Sequence, residues 1–351
     1  MKVLLIIPST GKLSGVDYHR MHIPHNYLAA HGEGVEYSQC NDLTALRLDE
    51  LKDFGVIVCN RGISKLGKHR ESIDLLKQLD AKLIVDMDDD YMLPSWHILY
   101  EGAKASNHTK EIIETLNQAY IVTCTHSGLA DTLRHVYKGK IVIVPNSIIP
   151  EGQFKVTKEL VTDRLIFGWS GSVTHFDDVM EMYDSLVPLY KDSDLGNKFK
   201  FVYGGHDHKD VISNSILSVL SAKATATDNQ FSTYAATGVH EYANFYDLIN
   251  VMTIPLRANR FNSNKSNLKM LESGFKKRAC IVSLVEPYAS LIKGGQNCLT
   301  AKNKHDWYRQ MVKLINNPEL RFDLADRLYE DVQAYHVKNV APIRESIYKL
   351  C

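Results

Sequence analysis

The stretch of residues 255–272, PLRANRFNSNKSNLKMLE, combines residue types that could bind a phosphorylated ligand. It follows an apolar run typical of a buried strand and ends in residues that favour a helix. Between them lie basic and amide side chains, including Arg257, Arg260, Asn262 and Lys265. The backbone N–H groups and the dipole of a helix N-terminus favour an anion. The stretch is consistent with a phosphate site, and equally with a surface loop whose charges are solvated.

Two residues at the end of this stretch have specific expected roles. Ser266 precedes the helical run and is predicted to cap it, because its hydroxyl can accept a hydrogen bond from a first-turn N–H. Glu272 lies within that helix, where its carboxylate can accept hydrogen bonds from a sugar diol; the alternative is an ordinary helical glutamate. We expect the basic triplet 276–278 to form a solvated turn at the helix end.

Apolar runs alternate with helical patterns along the chain, and this alternation predicts an α/β fold. The predicted strands are 3–7, 55–59, 82–85, 120–124, 140–144, 165–169, 199–203, 248–254 and 279–284. The predicted helices are 18–30, 66–79, 110–118, 128–136, 307–315, 320–332 and 343–350, with two more after residues 177 and 266. Such an order indicates doubly wound parallel sheets, which bind ligands at the carboxyl ends of their strands.

The chain of 351 residues is long enough for two domains. Pro150 and Gly152 interrupt it after the last predicted strand of the first half, and 150–163 has the character of a linker. We expect an N-terminal Rossmann-like, acceptor-side domain over 1–155 and a C-terminal Rossmann-like, donor domain over 156–335. A last helix within 336–351 is expected to pack back on the first domain.

Charge and cysteine usage restrict the partners and the compartment. The formal net charge is zero, so no global attraction to nucleic acid or membrane is expected, although a local basic patch is compatible with it. Cys59, Cys124 and Cys280 lie in apolar runs and are predicted to be buried free thiols in a reducing cytoplasm. The six cysteines contain no CxxC pair, so no zinc site is predicted. No amphipathic basic helix indicates stable membrane association.

The segments after the predicted strands of the first half are polar. A loop with Gly11 and Gly15 follows the first strand, but its spacing does not match the dinucleotide fingerprint. The acidic run DMDDDY, which contains Asp88, Asp89 and Asp90, follows the third. Three interpretations of this run remain open: a general base for a hydroxyl, a divalent-cation site, and a helix-capping loop. Because clustered carboxylates repel one another, one of them is expected to have a raised pKa.

The second half repeats this arrangement. Gly171 and Ser172 form a small-residue turn after the strand at 165–169, and His175 follows them. His175 could hydrogen-bond a sugar hydroxyl or a phosphate, or it could cap the next helix. Gly205, after the following strand, would allow the backbone to approach a flat ligand such as a nucleobase.

Taken in order, these segments resemble the nucleotide-sugar glycosyltransferases of the GT-B architecture, and family 4 in particular. The resemblance covers nearly the whole chain and is carried by FGWSGSVTHFDD, VYGG, IPLRANRFNSNKSNLKMLESGFKKRACIVS and the C-terminal helices, with MDDDY and VPNS in the first half. It implies two Rossmann-like doubly wound domains facing a cleft. It also implies a UDP-sugar donor, transfer that mostly retains the anomeric configuration, and no required metal or other cofactor. The acidic run leaves a divalent cation open.

The resemblance also implies roles by position. The family signature has two glutamates with seven residues between them: the second falls on Glu272, expected to hold the donor ribose, and the first on Asn264, a departure that removes a charge. The diphosphate-binding amides fall on Ser266 and Asn267. The implied donor-binding residues are Gly15, Ser172, Gly205, Arg260, Asn264, Lys265, Ser266, Asn267 and Glu272. The expected catalytic residues are Asp88, Asp89, Asp90 and His175, and the acceptor-side residues are Tyr18, His19, Arg20, Arg61 and His126.

The acceptor is predicted less directly. Compact lysine- and asparagine-rich chains with such an acidic run look like phage-encoded glycosyltransferases, some of which modify hydroxymethylated pyrimidines in DNA. Basic clusters in the first half could contact phosphates, namely Lys65, Lys68, His69 and Arg70; Lys104, His108 and Lys110; and Arg134, His135, Lys138 and Lys140. Alternatively these are scattered surface charges, and the acceptor is a cell-surface glycan or a lipid-linked molecule. Two other classes also remain: a nucleotide-sugar 2-epimerase and a non-catalytic nucleotide-sugar binder.

Overall fold

A computed structural model describes residues 1–8, 13–64, 67–158, 161–224, 230–293 and 295–351. The chain divides into two compact units. The first comprises Met1–Ile149, Ser263–Ser266 and Ala334–Cys351, and the second comprises Pro150–Asn262 and Asn267–Gln333. Gly11 and Lys65, singled out from the sequence, lie outside the described residues.

Each unit is built on one six-stranded parallel sheet. The strands are β1 (Lys2–Ile6), β2 (Glu36–Cys40), β3 (Val56–Asn60), β4 (Lys82–Met87), β5 (Ile121–Cys124), β6 (Lys140–Ile143), β7 (Leu165–Ser170), β8 (Phe199–His206), β9 (Phe231–Ala235), β10 (Val251–Ile254), β11 (Ala279–Ser283) and β12 (Leu299–Ala301). The first sheet has the order β2-β1-β3-β4-β5-β6, and the second has the order β12-β11-β10-β7-β8-β9. The order reverses at β1/β3 and at β7/β10, and ligands bind at such reversal points in open α/β sheets.

Helices connect these strands. They are α1 (Ile23–His31), α2 (Leu48–Leu51), α3 (His69–Leu76), α4 (Tyr100–Ala105), α5 (His108–Gln118), α6 (Ser127–Leu133), α7 (Phe176–Tyr183), α8 (Leu186–Lys191), α9 (Val211–Ala224), α10 (Arg260–Ser263), α11 (Leu268–Phe275), α12 (Lys304–Ile315), α13 (Pro318–Val332) and α14 (Val337–Tyr348). A π-helical segment, Asp17–His22, leads into α1. No helix in the described part of the chain has the length and apolar character needed to span a bilayer.

The predicted alternation of strands and helices is confirmed, with three strands missed. Strand β2 is an edge strand with mostly exposed side chains, β9 has two adjacent polar residues in its middle, and β12 has only three residues. None of them forms the continuous apolar run by which strands were recognised. The predicted buried thiols Cys59, Cys124 and Cys280 are fully buried and free.

Two local predictions are wrong at the ends of α11. This helix begins at Leu268 with Asn267 at the N-cap position, so Ser266 does not cap it. The triplet 276–278 at the other end is not solvated throughout, because two of its three side chains are buried.

Two predicted element boundaries are also wrong. The strand predicted over 248–254 begins only at Val251, because a 3₁₀ segment, Tyr242–Leu248, precedes it. The last helix starts at Val337 rather than 343, since the helix accommodates Pro342 and His336 caps it.

A buried carboxylate joins three distant segments of the first unit. Asp86, at the end of β4, is fully buried together with Arg20 and Arg344. Arg20 makes two hydrogen bonds to it, of 2.8 Å from Nε and 2.7 Å from Nη2, and Arg344 Nη2 makes a third of 3.1 Å. The hydroxyl of Thr123 donates a fourth, of 2.5 Å. These donors outweigh the cost of burial and hold the pKa of Asp86 well below its usual range.

A neutral histidine lies between α1 and α14. His25 is buried, and its Nδ1 lies 2.5 Å from the carbonyl oxygen of Met21, which can only accept. Nδ1 therefore carries the proton, and Nε2 accepts the hydroxyl of Tyr348 at 2.6 Å. Burial, assisted by Arg344, lowers the pKa of His25 to about 3. The two helices are thus packed around an imidazole that stays neutral.

We expect Asp86→Asn to lower the free energy of unfolding by about 3–5 kcal/mol, because it leaves two buried guanidinium groups without a counter-charge. The matched control is Asp53→Asn, which removes a mostly exposed partner of Lys2 and should cost at most about 1 kcal/mol. Urea denaturation followed by circular dichroism measures both. Equal effects of the two substitutions would contradict the assigned role of Asp86.

We also expect His25 to make stability depend on pH. Between the ordinary histidine pKa of 6.5 and its folded value of about 3, the unfolded chain binds a proton that the folded chain does not. The free energy of unfolding should therefore fall as the pH drops below 6.5, by up to about 1.4 kcal/mol per pH unit from this residue. In His25→Gln the slope should be smaller by that amount; identical slopes would show that His25 protonates in the folded protein.

Candidate functional site

A cavity of about 380 Å³ lies at the carboxyl ends of β7, β8 and β9 in the second unit. It is lined by Ser170, Gly171, Ser172, Val173, Gly205, Asp207, Asp210, Ser213, Tyr234, Ala235, Ala236, Thr237 and Tyr242. Parallel sheets place ligands at this edge. Three features matter chemically: the backbone at Gly205, the hydroxyl of Ser172 and the tyrosine at 242.

Gly205 is required where it stands. Its φ is +89°, and a Cβ there would lie 2.3 Å from the carbonyl oxygen of Gly171. Only glycine lets the end of β8 approach the turn after β7 so closely. Ser172, which is exposed in that turn, hydrogen-bonds the hydroxyl of Thr174 at 2.6 Å. The structure therefore brings the predicted residues Ser172 and Gly205 to one cavity.

Glu272 is a buried carboxylate held by two tyrosines. It lies in α11 and is 4% exposed. The hydroxyl of Tyr246 donates to Oε2 at 2.6 Å, and that of Tyr242 donates to Oε1 in a shorter hydrogen bond. Burial and the adjacent carboxylate raise the pKa of Tyr246 well above its usual range, so it remains a donor. Because Tyr242 also lines the cavity, the carboxylate is positioned next to it.

Sequence reasoning missed these tyrosines, although Tyr242 and Tyr246 are spaced four residues apart directly before β10. It also assigned the basic triplet after α11 to solvent, whereas Lys276 and Arg278 are buried. Arg278 Nε donates to the carbonyl oxygen of Tyr246 at 2.8 Å, and Lys276 Nζ lies 2.7 Å from Asp247 Oδ1. The basic triplet therefore fixes the backbone that carries the tyrosines.

A second buried carboxylate, Asp178 of α7, organises the loop after β10. Its Oδ1 accepts hydrogen bonds from the backbone N–H of Arg257 and from the amide of Asn262, both at 2.9 Å. Its Oδ2 lies 2.9 Å from Nδ1 of His175. A carboxylate at Nδ1 favours the tautomer with the proton on that atom and orients the ring. Asp178 was also missed, although it follows His175 by three residues.

The remaining predicted donor residues lie around α10 and α11. Arg260 is exposed at the start of α10, and Ser266 and Asn267 are half-buried before α11. The N-cap position has no side-chain hydrogen bond, so the first turn of α11 is not capped by Asn267. A helix start of this kind retains the partial positive charge that favours an anion.

In the first unit, the acidic run meets two cations at the end of β4. Asp88 accepts from Arg61 Nη2 at 2.8 Å, and Asp89 lies 3.5 Å from Lys265 Nζ. Arg61 adopts a φ of +60°, an uncommon backbone conformation for this residue. Burial raises the pKa of Asp89 despite the opposing effects of Lys265 and Arg61. Asp89, one of the three predicted carboxylates, therefore has a property expected of a base.

The short segment Ser263–Ser266 belongs to this unit by its contacts. Asn264 is buried, and its amide donates to Asp90 at 2.8 Å while it accepts from Thr132 at 3.0 Å. The carbonyl oxygen of Lys265 lies 3.0 Å from Nε2 of His126, which caps α6 through its other nitrogen. The structure thus gives Asn264 and His126 positioning contacts within the first unit.

The predicted acceptor-side residues are all half-buried or buried. Tyr18 is half-buried and packs edge-on against His19, which is buried. Arg20 is 1% exposed and committed to Asp86, so its contacts are those of a structural residue. Gly15 is exposed, and a Cβ there would meet nothing within 4 Å. No group of three or more His, Cys, Asp or Glu side chains arranged to hold a metal occurs among the described residues.

No protein-family model matches the sequence, and no curated protein does. The fold, however, is similar to solved structures. Sucrose-phosphate synthase from Thermosynechococcus elongatus gives a TM-score of 0.74 at 14% identity, covering 99% of this chain and 98% of that one. A glycosyltransferase from Rickettsia africae gives 0.71 at 13% identity, with 99% and 97% covered. Anabaena HepE, in complex with UDP and glucose, gives 0.73 at 10% identity, with 99% and 100% covered.

These similarities establish the fold class. The chain contains two Rossmann-like α/β units, as in the GT-B architecture, which confirms the fold predicted from the sequence.

Proposed function

We propose that this protein is a glycosyltransferase that moves a sugar from a UDP-sugar to an acceptor hydroxyl. The observation that carries the proposal is Glu272, a buried carboxylate held by two tyrosines beside a cavity at the strand ends. A carboxylate can accept about four hydrogen bonds, which suits the two hydroxyls of a ribose. Support comes from the similar fold of HepE, solved with UDP and with UDP-glucose.

In this proposal most of the donor-binding residues belong to the second unit. Glu272 holds the ribose, and the cavity containing Gly205 and Ser172 receives the base. The start of α11, at Ser266 and Asn267, receives the diphosphate, because its N–H groups and dipole favour an anion. Arg260 and Lys265 neutralise the phosphate charge that develops as the bond from sugar to phosphate breaks.

The first unit supplies the acceptor side. The acceptor oxygen forms the new bond to the anomeric carbon on the same face from which UDP leaves, as retention requires. The acceptor proton passes to Asp89, whose pKa is raised by burial, as suits a general base. His175, oriented by Asp178, hydrogen-bonds the transferred sugar. We propose retention of the anomeric configuration and no metal requirement, in keeping with the family that the sequence resembles.

For the acceptor two candidates are kept: the first is the hydroxymethyl group of a modified pyrimidine in phage DNA, which the sequence favours, and the second is a lipid-linked or cell-surface acceptor. Local ion pairs reduce the charge of the predicted basic clusters: Lys68 with Glu71, Arg70 with Asp74, and Arg134 with Asp131. Exposed apolar side chains that follow the acidic run, at Met92, Trp96, Ile98 and Leu99, favour the second candidate. A 2-epimerase would consume UDP-sugar without an acceptor, and a non-catalytic binder would not consume it at all.

We expect Glu272→Gln to weaken UDP binding about 10- to 100-fold, since a hydrogen bond to a charged group contributes about 1.5–3 kcal/mol. Tyr246→Phe keeps the carboxylate but removes one support, and we expect a smaller loss of about tenfold. Glu319→Gln, at an exposed position of α13, is the control. Isothermal titration with UDP measures all three. Unchanged affinity in Glu272→Gln would refute the donor site.

Transfer can be tested by mixing the protein with UDP-sugars and DNA, with and without hydroxymethylated pyrimidines, followed by nucleoside mass spectrometry. A sugar-sized gain on the hydroxymethylated base supports the DNA acceptor; no gain with UDP still bound removes it. With the acceptor that takes the sugar, Asp89→Asn should lower kcat about 10²- to 10⁴-fold. Asp80→Asn, at an exposed site in the same unit, is the control. Full turnover in Asp89→Asn would eliminate Asp89 as the base.

A further inference from the structure

The segment after the acidic run exposes apolar side chains. Residues 91–100, YMLPSWHILY, contain no charged side chain, although 23% of the chain is charged. Met92, Trp96, Ile98 and Leu99 are 41%, 49%, 46% and 56% exposed. Single exposed apolar residues are ordinary, but four within eight residues form a patch of the kind that marks an interaction surface.

Buried residues fix this segment in place. Tyr91 is 8% exposed and packs in the core of the first unit. His97 is equally buried, its backbone N–H donates to Pro94, and its Nδ1 accepts from the backbone N–H of Leu99 at 3.2 Å. The apolar side chains are thus presented outward by a segment anchored at two points.

The same segment borders a cavity with apolar and cationic walls. The cavity, of about 400 Å³, is lined by Met92, Leu93, Tyr100, Ala103, Lys104, Asn107, Thr109, Lys110 and Ile113. Lys104 Nζ lies 5.9 Å from the centre of the Tyr100 ring. Residues 92–110 contain two lysines and one glutamate. An apolar surface beside lysines complements a molecule that joins hydrocarbon to phosphate.

We propose that segment 92–99 and this cavity dock the first unit on an anionic bilayer surface. Trp96 would occupy the interface, where tryptophan is favoured, while Ile98 and Leu99 enter the acyl boundary and Lys104 and Lys110 face lipid phosphates. Docking through one short segment is weak and reversible, which agrees with the sequence expectation of no stable membrane association. DNA fits this surface less well, because affinity for DNA depends on neutralising many phosphates.

This inference deepens the proposed function and rests on it for the acceptor. Asp89 follows β4 and precedes the apolar segment by three residues. A unit docked through 92–99 would hold the proposed base close to a hydroxyl presented at the bilayer surface. The acceptor class is then a lipid-linked molecule, the second of the two acceptor candidates.

Flotation with vesicles tests the docking. We expect the protein to bind vesicles of phosphatidylcholine mixed with phosphatidylglycerol, and the variant Trp96→Ser with Leu99→Ser to bind at least about tenfold more weakly. Lys104→Gln with Lys110→Gln should reduce binding to the mixed vesicles and not to phosphatidylcholine alone. The matched control is Val161→Ser with Phe322→Ser, which removes two exposed apolar side chains, 96% and 49% exposed, from the second unit.

Several results would overturn the docking proposal. They are a lack of binding to mixed vesicles, equal binding by the Trp96/Leu99 variant, and the same loss in the control variant. Dissociation of a dimer by the Trp96/Leu99 substitutions, seen by sedimentation without vesicles, would instead assign the patch to a second copy of this chain. If the Trp96/Leu99 variant lost binding to duplex DNA but still bound vesicles, the patch would be assigned to nucleic acid. UDP titration of the same samples separates the proposals, because a protein that binds vesicles but not UDP would refute only the donor site.

Discussion

The first unit depends on the burial of one carboxylate between two guanidinium groups. Asp86 is fully enclosed, and its partners Arg20 and Arg344 come from segments far from it along the chain. A charge in this environment is tolerated only when donors surround it, so the π-helical segment, β4 and α14 must meet at one point. This constraint also positions the acidic residues 88–90, because the first of them follows Asp86 by only two residues.

Buried carboxylates also organise the second unit. Glu272 is fixed by two tyrosine hydroxyls, and Asp178 joins His175 to the loop after β10. In both cases a carboxylate on a helix accepts hydrogen bonds from residues in the segments that connect the strands. A polar group that is hydrogen-bonded on several sides changes position little when a ligand binds. Such a group is preorganised for binding.

The sequence predicted the fold well because buried parallel strands have continuous apolar runs and their order implies doubly wound sheets. It could not predict edge strands such as β2, because their side chains are mostly exposed and they lack a continuous apolar run. Residues of the candidate site could be selected from the sequence by their chemical type, but the residues that hydrogen-bond to them could not be predicted. Tyr246 approaches Glu272 across 26 positions, and Asn264 approaches Asp90 across 174. Such pairings depend on how the loops pack, and no local pattern encodes them.

The placement of α14 has a consequence for the order in which the protein is made. The partner that Asp86 needs, Arg344, lies 258 residues further along the chain. During translation, β1 to β6 leave the ribosome long before α14 does, and the whole second unit is synthesised in between. The nascent first unit therefore carries an incomplete charge cluster and an uncovered face where Val340 and Ile347 later pack. The second unit can complete its own core first, so the half that is synthesised first is the half that finishes folding last.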